Sequence, residues 1–218
     1  MNIFILLLFS LVMSESIIIT NSKSSDGQAI TFQVIEFGKC YYTGATTSEY
    51  YTQSGNNVTV SQYNTSSECT GNKNETSVAV SEEHFKDFCL SRNCSVEIKE
   101  IPDYIGYFGL DKDDNKCSHQ NNAYMTYVTG ICGKCHEASN EYCMYKIENG
   151  HMYGIIYANS QCDEQMKNET RELWKCGSCE NSTIYKCESK PNKNSSDYID
   201  GASLAVLSLI GMMIMLFI

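Results

Sequence analysis

The chain has 218 residues, with 16 Lys and Arg against 26 Asp and Glu and a formal net charge of −10. An acidic balance of this kind argues against nucleic acid or anionic lipid as a partner. Twelve cysteines and fifteen tyrosines stand beside only two prolines and one tryptophan.

At the N-terminus, Ile3 to Met13 is apolar except for Ser10. That run is too short to span a bilayer and has the length of a signal-peptide core. Ser14 and Ser16 place small residues at −3 and −1 of a cut after Ser16, so residues 1–16 read as a signal peptide. The competing reading is a buried N-terminal strand, favoured by Ile17, Ile18 and Ile19. Between Ile17 and Ser195 the charge is −7, because Glu15, Asp197 and Asp200 fall outside. Export makes the even cysteine count read as up to six disulfides.

Ala29 to Phe37, with its β-branched and aromatic residues, predicts a strand, and Asn57 to Tyr63 alternates as one. Ser81 caps a predicted short helix through Leu90, with Glu82 and Glu83 in its first turn. Further strands are predicted at Tyr142 to Ile147, His151 to Ala158 and Ser182 to Cys187, the first two joined by a turn at Asn149-Gly150. A second helix is predicted over Asn168 to Lys175.

An internal repeat organises these elements. Gly38-Lys39-Cys40 recurs as Gly133-Lys134-Cys135, and Glu49-Tyr50 as Glu141-Tyr142. The segment from Gln62-Tyr63 to Cys69 resembles that from Ile156-Tyr157 to Cys162, and Asn74-Glu75-Thr76 recurs as Asn168-Glu169-Thr170. The expected fold is mainly β (small α+β) and disulfide-rich. It has two tandem homologous modules, 29–102 and 124–191, each a short antiparallel sheet with one short helix, joined by a linker over 103–123. The repeat nominates Cys40–Cys69 and Cys135–Cys162 as equivalent disulfides. It also sets Cys132 and Cys143 opposite Phe37 and Tyr51, which suggests that they bridge.

Seven N-x-[ST] sequons mark Asn57, Asn64, Asn74, Asn93, Asn168, Asn181 and Asn194. In an exported chain they predict glycans on exposed turns, with Asn93 hampered if Cys94 is bridged. Leu204 to Ile218 is 15 residues without a charge. It follows the small residues Asn194 and Ser195 and a polar spacer, the pattern of a GPI signal with attachment at Ser195 or Asn194. A transmembrane tail is the alternative.

Motifs suggesting chemistry have plainer readings. Cys132-Gly-Lys-Cys135 and Cys176-Gly-Ser-Cys179 would form a zinc ribbon in a cytosolic chain, but disulfides compete for the thiols after export. Cys132 to His136 also fits the haem-attachment pattern, which needs a compartment that such a chain does not enter. Either CxxC could be an exchange-active dithiol, although neither Pro102 nor Pro191 is placed as thioredoxin-like folds require. Asp111 to Asn115 opens like a calcium loop, but Lys116 and Asn122 stand where Gly and Glu belong. His84, His119, His136 and His151 show no ligand spacing. No cofactor or metal is therefore expected. Tyr104, Tyr107 and Phe108, between the modules, are the candidate recognition aromatics.

In its repeated cysteine words, its Asn, Lys and Tyr usage and its uncharged tail, the chain resembles the small cysteine-rich, GPI-anchored surface glycoproteins of amoeba-type protozoa. The resemblance implies a non-enzymatic coat, adhesion or recognition role at the outer face of the plasma membrane, with a glycan or protein ligand. The alternative is an extracellular thiol-disulfide oxidoreductase using a CxxC pair.

Overall fold

The computed structural model describes residues 15–81, 83, 85–89, 94–111, 117–118, 122–135 and 139–190. The strands are β1 (Ser16–Lys23), β2 (Ala29–Glu36), β3 (Cys40–Gly44), β4 (Thr47–Ser54), β5 (Asn57–Tyr63), β6 (Asn74–Ala79) and β7 (Ser95–Lys99). They continue as β8 (Gly106–Leu110), β9 (Met125–Val128), β10 (Gly133–Lys134), β11 (Tyr142–Glu148), β12 (His151–Tyr157), β13 (Lys167–Lys175), β14 (Cys179–Glu180) and β15 (Thr183–Lys186). The protein is mainly β, and no α-helix occurs among the described residues.

Three sheets result. One has seven strands in the order β14-β15-β8-β9-β2-β1-β7, and two are four-stranded meanders, β3-β4-β5-β6 and β10-β11-β12-β13. β1 is flanked by β2 and β7, and Ile17, Ile18 and Ile19 are all fully buried. A strand covered on both faces reads as a continuous apolar run, as these three isoleucines do. Burying each contributes about 1.5–3 kcal/mol.

Registers show which face of the long sheet carries the meanders. Ile19, Gln33, Thr126, Phe108 and Tyr185 form one row across it. Directly paired residues share a face. At one end Ile19 packs with Tyr41, Tyr51, Val58 and Val60 of the first meander. At the other end Phe108 and Tyr185 meet Trp174 of the second, with ring centroids 5.3 and 5.4 Å away. Both meanders therefore lie on the same face. The opposite face carries the row Phe32, Tyr127 and Tyr107, with Ile101 and Tyr104 packed nearby.

Several expectations are corrected here. The helix over Asn168 to Lys175 is instead β13, paired with β12 through seven residue pairs. Its Glu, Arg, Leu and Lys residues favour helix, but ladder pairing and Trp174 packing override that weak preference. Where a helix is expected from Ser81, the described residues hold one 3-10 turn at Lys86–Phe88, and Glu82, His84 and Leu90 lie outside them. The expected linker contains β8, an interior strand. Three sheets, one of them drawing on both halves of the chain, replace the expected pair of module sheets.

Candidate functional site

The central hairpins of the two meanders share one strand register at an offset of 94 residues. Tyr50 faces Ser61 in the first and Met144 faces Ile155 in the second. Ser48–Tyr63 matches Tyr142–Tyr157 in the same way. Their central turns coincide too, at Gly55-Asn56 and Asn149-Gly150. Asn149 and Gly150 both have positive φ, 51° and 75°, as a type I′ turn requires.

This register decides the cysteine pairing. Cys40 sits opposite Tyr50 and is bonded to Cys69. Gly133 pairs with Cys143, so Cys132 falls opposite Met144, the counterpart of Tyr50. Cys132, rather than Cys135, is bonded to Cys162. The receiving cysteines match as well, Cys69 at φ 54° and Cys162 at φ 52°. The recurrence of Gly-Lys-Cys is thus three residues out of register with the structural repeat. Aligning on it misassigned Cys135, and with it the Cys132–Cys143 bridge. Cys143 instead occupies the position of Glu49.

Three more disulfides join Cys89 to Cys94, Cys117 to Cys179 and Cys176 to Cys187. Neither CxxC motif closes on itself. Cys132 leaves its motif for Cys162, while Cys176 and Cys179 take separate partners. Cys135 and Cys143 are not bridged to any other cysteine and influence each other electrostatically. Burial pushes both thiols above their ordinary range, with nearby Glu141 adding to the effect. No cluster of three or more His, Cys, Asp or Glu suited to a metal occurs among the described residues.

Asn57, Asn64, Asn74, Asn168 and Asn181 are all exposed. Asn74 and Asn168 stand on β6 and β13, the open edges of the two meanders. Asn181 sits at a hairpin tip with Ser182, both at positive φ, 48° and 63°. Asn93, Asn194, Ser195 and the 204–218 segment lie outside the described residues, as do His84, His119, His136 and the 112–116 stretch. No described helix is long and apolar enough to cross a membrane.

The first meander holds a polar cluster that the sequence did not reveal. Tyr51 Oη and Tyr124 Oη donate to Glu49 Oε2 at 2.6 and 2.7 Å, and Gln62 Nε2 donates to Oε1 at 3.0 Å. Tyr41 stacks on Tyr124 at 4.5 Å, and its hydroxyl accepts the Glu36 backbone N–H. Burial, reinforced by the Glu49 carboxylate, holds the Tyr51 and Tyr124 hydroxyls far above the usual tyrosine range. The arrangement keeps the phenols protonated and the carboxylate satisfied, which suits structure more than proton transfer.

Of the three candidate recognition aromatics, Phe108 is taken up by Trp174 packing. Tyr104 and Tyr107 are half-buried on the opposite face, with centroids 6.0 Å apart, and Tyr107 Oη donates to Glu188 at 3.3 Å. Burial, with Glu188 beside it, pushes Tyr107 up to about 12. No family model, curated protein or solved structure matches the chain.

Proposed function

We propose that the protein is a non-enzymatic surface glycoprotein, exported and held at the outer face of the plasma membrane, where it coats the cell or recognises a glycan or protein. The observation that carries this reading is the exposure of all five described sequon asparagines on a scaffold stapled by five disulfides. Glycans need exposed asparagines, and persistent disulfides need an oxidising compartment. The resemblance to protozoan GPI-anchored surface glycoproteins agrees with it, and the 204–218 segment is the proposed anchor signal. The two meanders are proposed to derive from one duplicated unit, supported by their shared register, turn and disulfide.

Tyr104, Tyr107 and Glu188 form the best-suited recognition patch. Aromatic faces stack on sugar rings or apolar side chains, and a carboxylate beside them accepts hydrogen bonds. The oxidoreductase alternative finds less support, because the cysteines of both CxxC motifs are divided among different environments.

The test is secretion from a eukaryotic host followed by binding. Expression of the full chain should yield a surface protein whose mass falls on deglycosylation and which a GPI-cleaving phospholipase releases. The released ectodomain is then applied to a glycan array and to intact cells. Binding that falls at least tenfold in Tyr104→Ala/Tyr107→Ala supports recognition through this patch. Retention inside the cell with unglycosylated asparagines overturns the reading.

A further inference from the structure

We infer that Cys135 and Cys143 close a sixth disulfide, which fastens the short strand β10 to β11 in the second meander. β10 contributes only Gly133 and Lys134 to its ladder, paired with Cys143 and Tyr142. One further backbone bond continues that alignment, Cys135 N–H to Glu141 C=O at 3.1 Å. With Gly133 opposite Cys143 and Cys135 opposite Glu141, the two cysteines are diagonal neighbours on adjacent strands. Each thiol influences the other's protonation, as neighbouring groups do. They are also the only free thiols among the described residues, and the full chain holds an even twelve.

The comparison with the first meander gives the bond a role. The position of Cys143 is that of Glu49, whose carboxylate gathers Tyr51, Tyr124 and Gln62. β3 is five residues long and has four pairs to β4, whereas β10 has two to β11. The second meander lacks both the longer ladder and the carboxylate, and a covalent link at the same place supplies the missing restraint. Burial raises both thiols in the folded chain, which lowers their thiolate fraction and slows exchange there, so closure belongs to the folding stage.

Closure is a thiol-disulfide exchange with an oxidised dithiol oxidoreductase of the secretory compartment. One cysteine thiolate attacks the donor disulfide to give a mixed disulfide, and the second displaces the donor sulfur. Both S–H bonds are lost, the Cys135–Cys143 bond forms, and the donor leaves as its dithiol, carrying the two electrons and two protons. This step rests on the proposed export.

The experiment is non-reducing peptide mapping of the secreted full chain after alkylation of free thiols. The expected result is a peptide carrying Cys135 linked to one carrying Cys143, with no alkylated cysteine. Cys135→Ser should expose one alkylatable thiol at Cys143, and Cys135→Ser/Cys143→Ser should expose none while keeping the other five links. Five links with Cys135 and Cys143 both alkylated in the wild type overturn the inference, as does a link from either to another cysteine. Failure of the export reading looks different, because the chain is then retained in the cell with most of its twelve cysteines alkylated.

Discussion

The two meanders share a frame and differ in what fills it. Strand register, central turn and the disulfide from the first strand to the loop after the third are common to both. On the inner face, Glu49, Val60 and Val58 are exchanged for Cys143, Gly154 and Met152, while Tyr51 keeps its type as Tyr145. The lesson is that backbone pairing and one cross-link define the unit, and a core of altered chemistry can be fitted inside it. One core is held by buried hydrogen bonds and the other by packing and thiol chemistry.

The comparison is sharpened most by removing the equivalent staples. Cys40→Ser/Cys69→Ser and Cys132→Ser/Cys162→Ser open loops of nearly equal length, with separations of 29 and 30. Each should cost about 3 kcal/mol, measured by denaturant unfolding of the secreted proteins. Losses that differ severalfold between the pairs would break the proposed equivalence.

Next comes the half-buried Glu49 carboxylate. Tyr124→Phe removes one donor to Glu49 and should destabilise by about 1.5–3 kcal/mol, the range for a hydrogen bond to a charged group. Tyr145→Phe in the second meander, without such a carboxylate, should cost less. Alkaline pH separates the two networks further. Burial raises Tyr41, Tyr51 and Tyr124 in the folded state, and Tyr145 rises to about 12. A raised folded value means that the stabilisation is complete below about pH 10, where the unfolded tyrosines are still protonated. It is lost as pH climbs from there towards the folded values. Circular dichroism and tyrosinate absorbance should therefore report a fall in stability above about pH 10, smaller in Tyr124→Phe. Stability unchanged well above that pH would contradict the buried network.

Smaller effects test the inner face and the surface. Gly154 stands where the first meander has Val60, and a Cβ there would lie 3.3 Å from Leu173 Cδ1. Leu173 is 42% exposed and can swing aside. Gly154→Ala should therefore stabilise by about 0.5 kcal/mol in thermal unfolding, by restricting the unfolded chain. His151 Nδ1 and Glu172 Oε1 are 2.6 Å apart on the surface of the second meander. His151→Ala should change stability by less than about 1 kcal/mol, as exposed pairs do.

Much of the local structure was legible in the sequence. Alternation and β-branching located β2, β5, β11 and β12 within a residue or two, and Asn149-Gly150 located a hairpin turn. Ile17 to Ile19, whose place in a buried strand is the reading that competes with a signal peptide, lie fully buried in β1. Pairing between distant segments left no trace. Nothing in Ala29–Glu36 or Met125–Val128 says that they are neighbours, because a strand's partner is set by the whole sheet. Recurring words pointed to the segments that form the two meanders, but the most distinctive of them misled, since three residues of drift turn one cysteine's role into another's. The cluster around Glu49 could not be found, because Tyr124 joins it from 75 residues away.

The order of strands in the long sheet also bears on how the chain is made. β1, β2, β7 and the whole first meander lie between Ser16 and Lys99, and their disulfides span only 29 and 5 residues. The strands of this half can pair while the remainder is still being synthesised, with Tyr124 completing the core of the first meander afterwards. The half then presents the free edge of β2, onto which β9, β8, β15 and β14 are added outward in turn. The Cys117–Cys179 link, with a separation of 62, spans the most chain of the five and has to wait for β14. The first half is thereby a template for the second, and a defect in β2 should stall maturation of strands that it never touches.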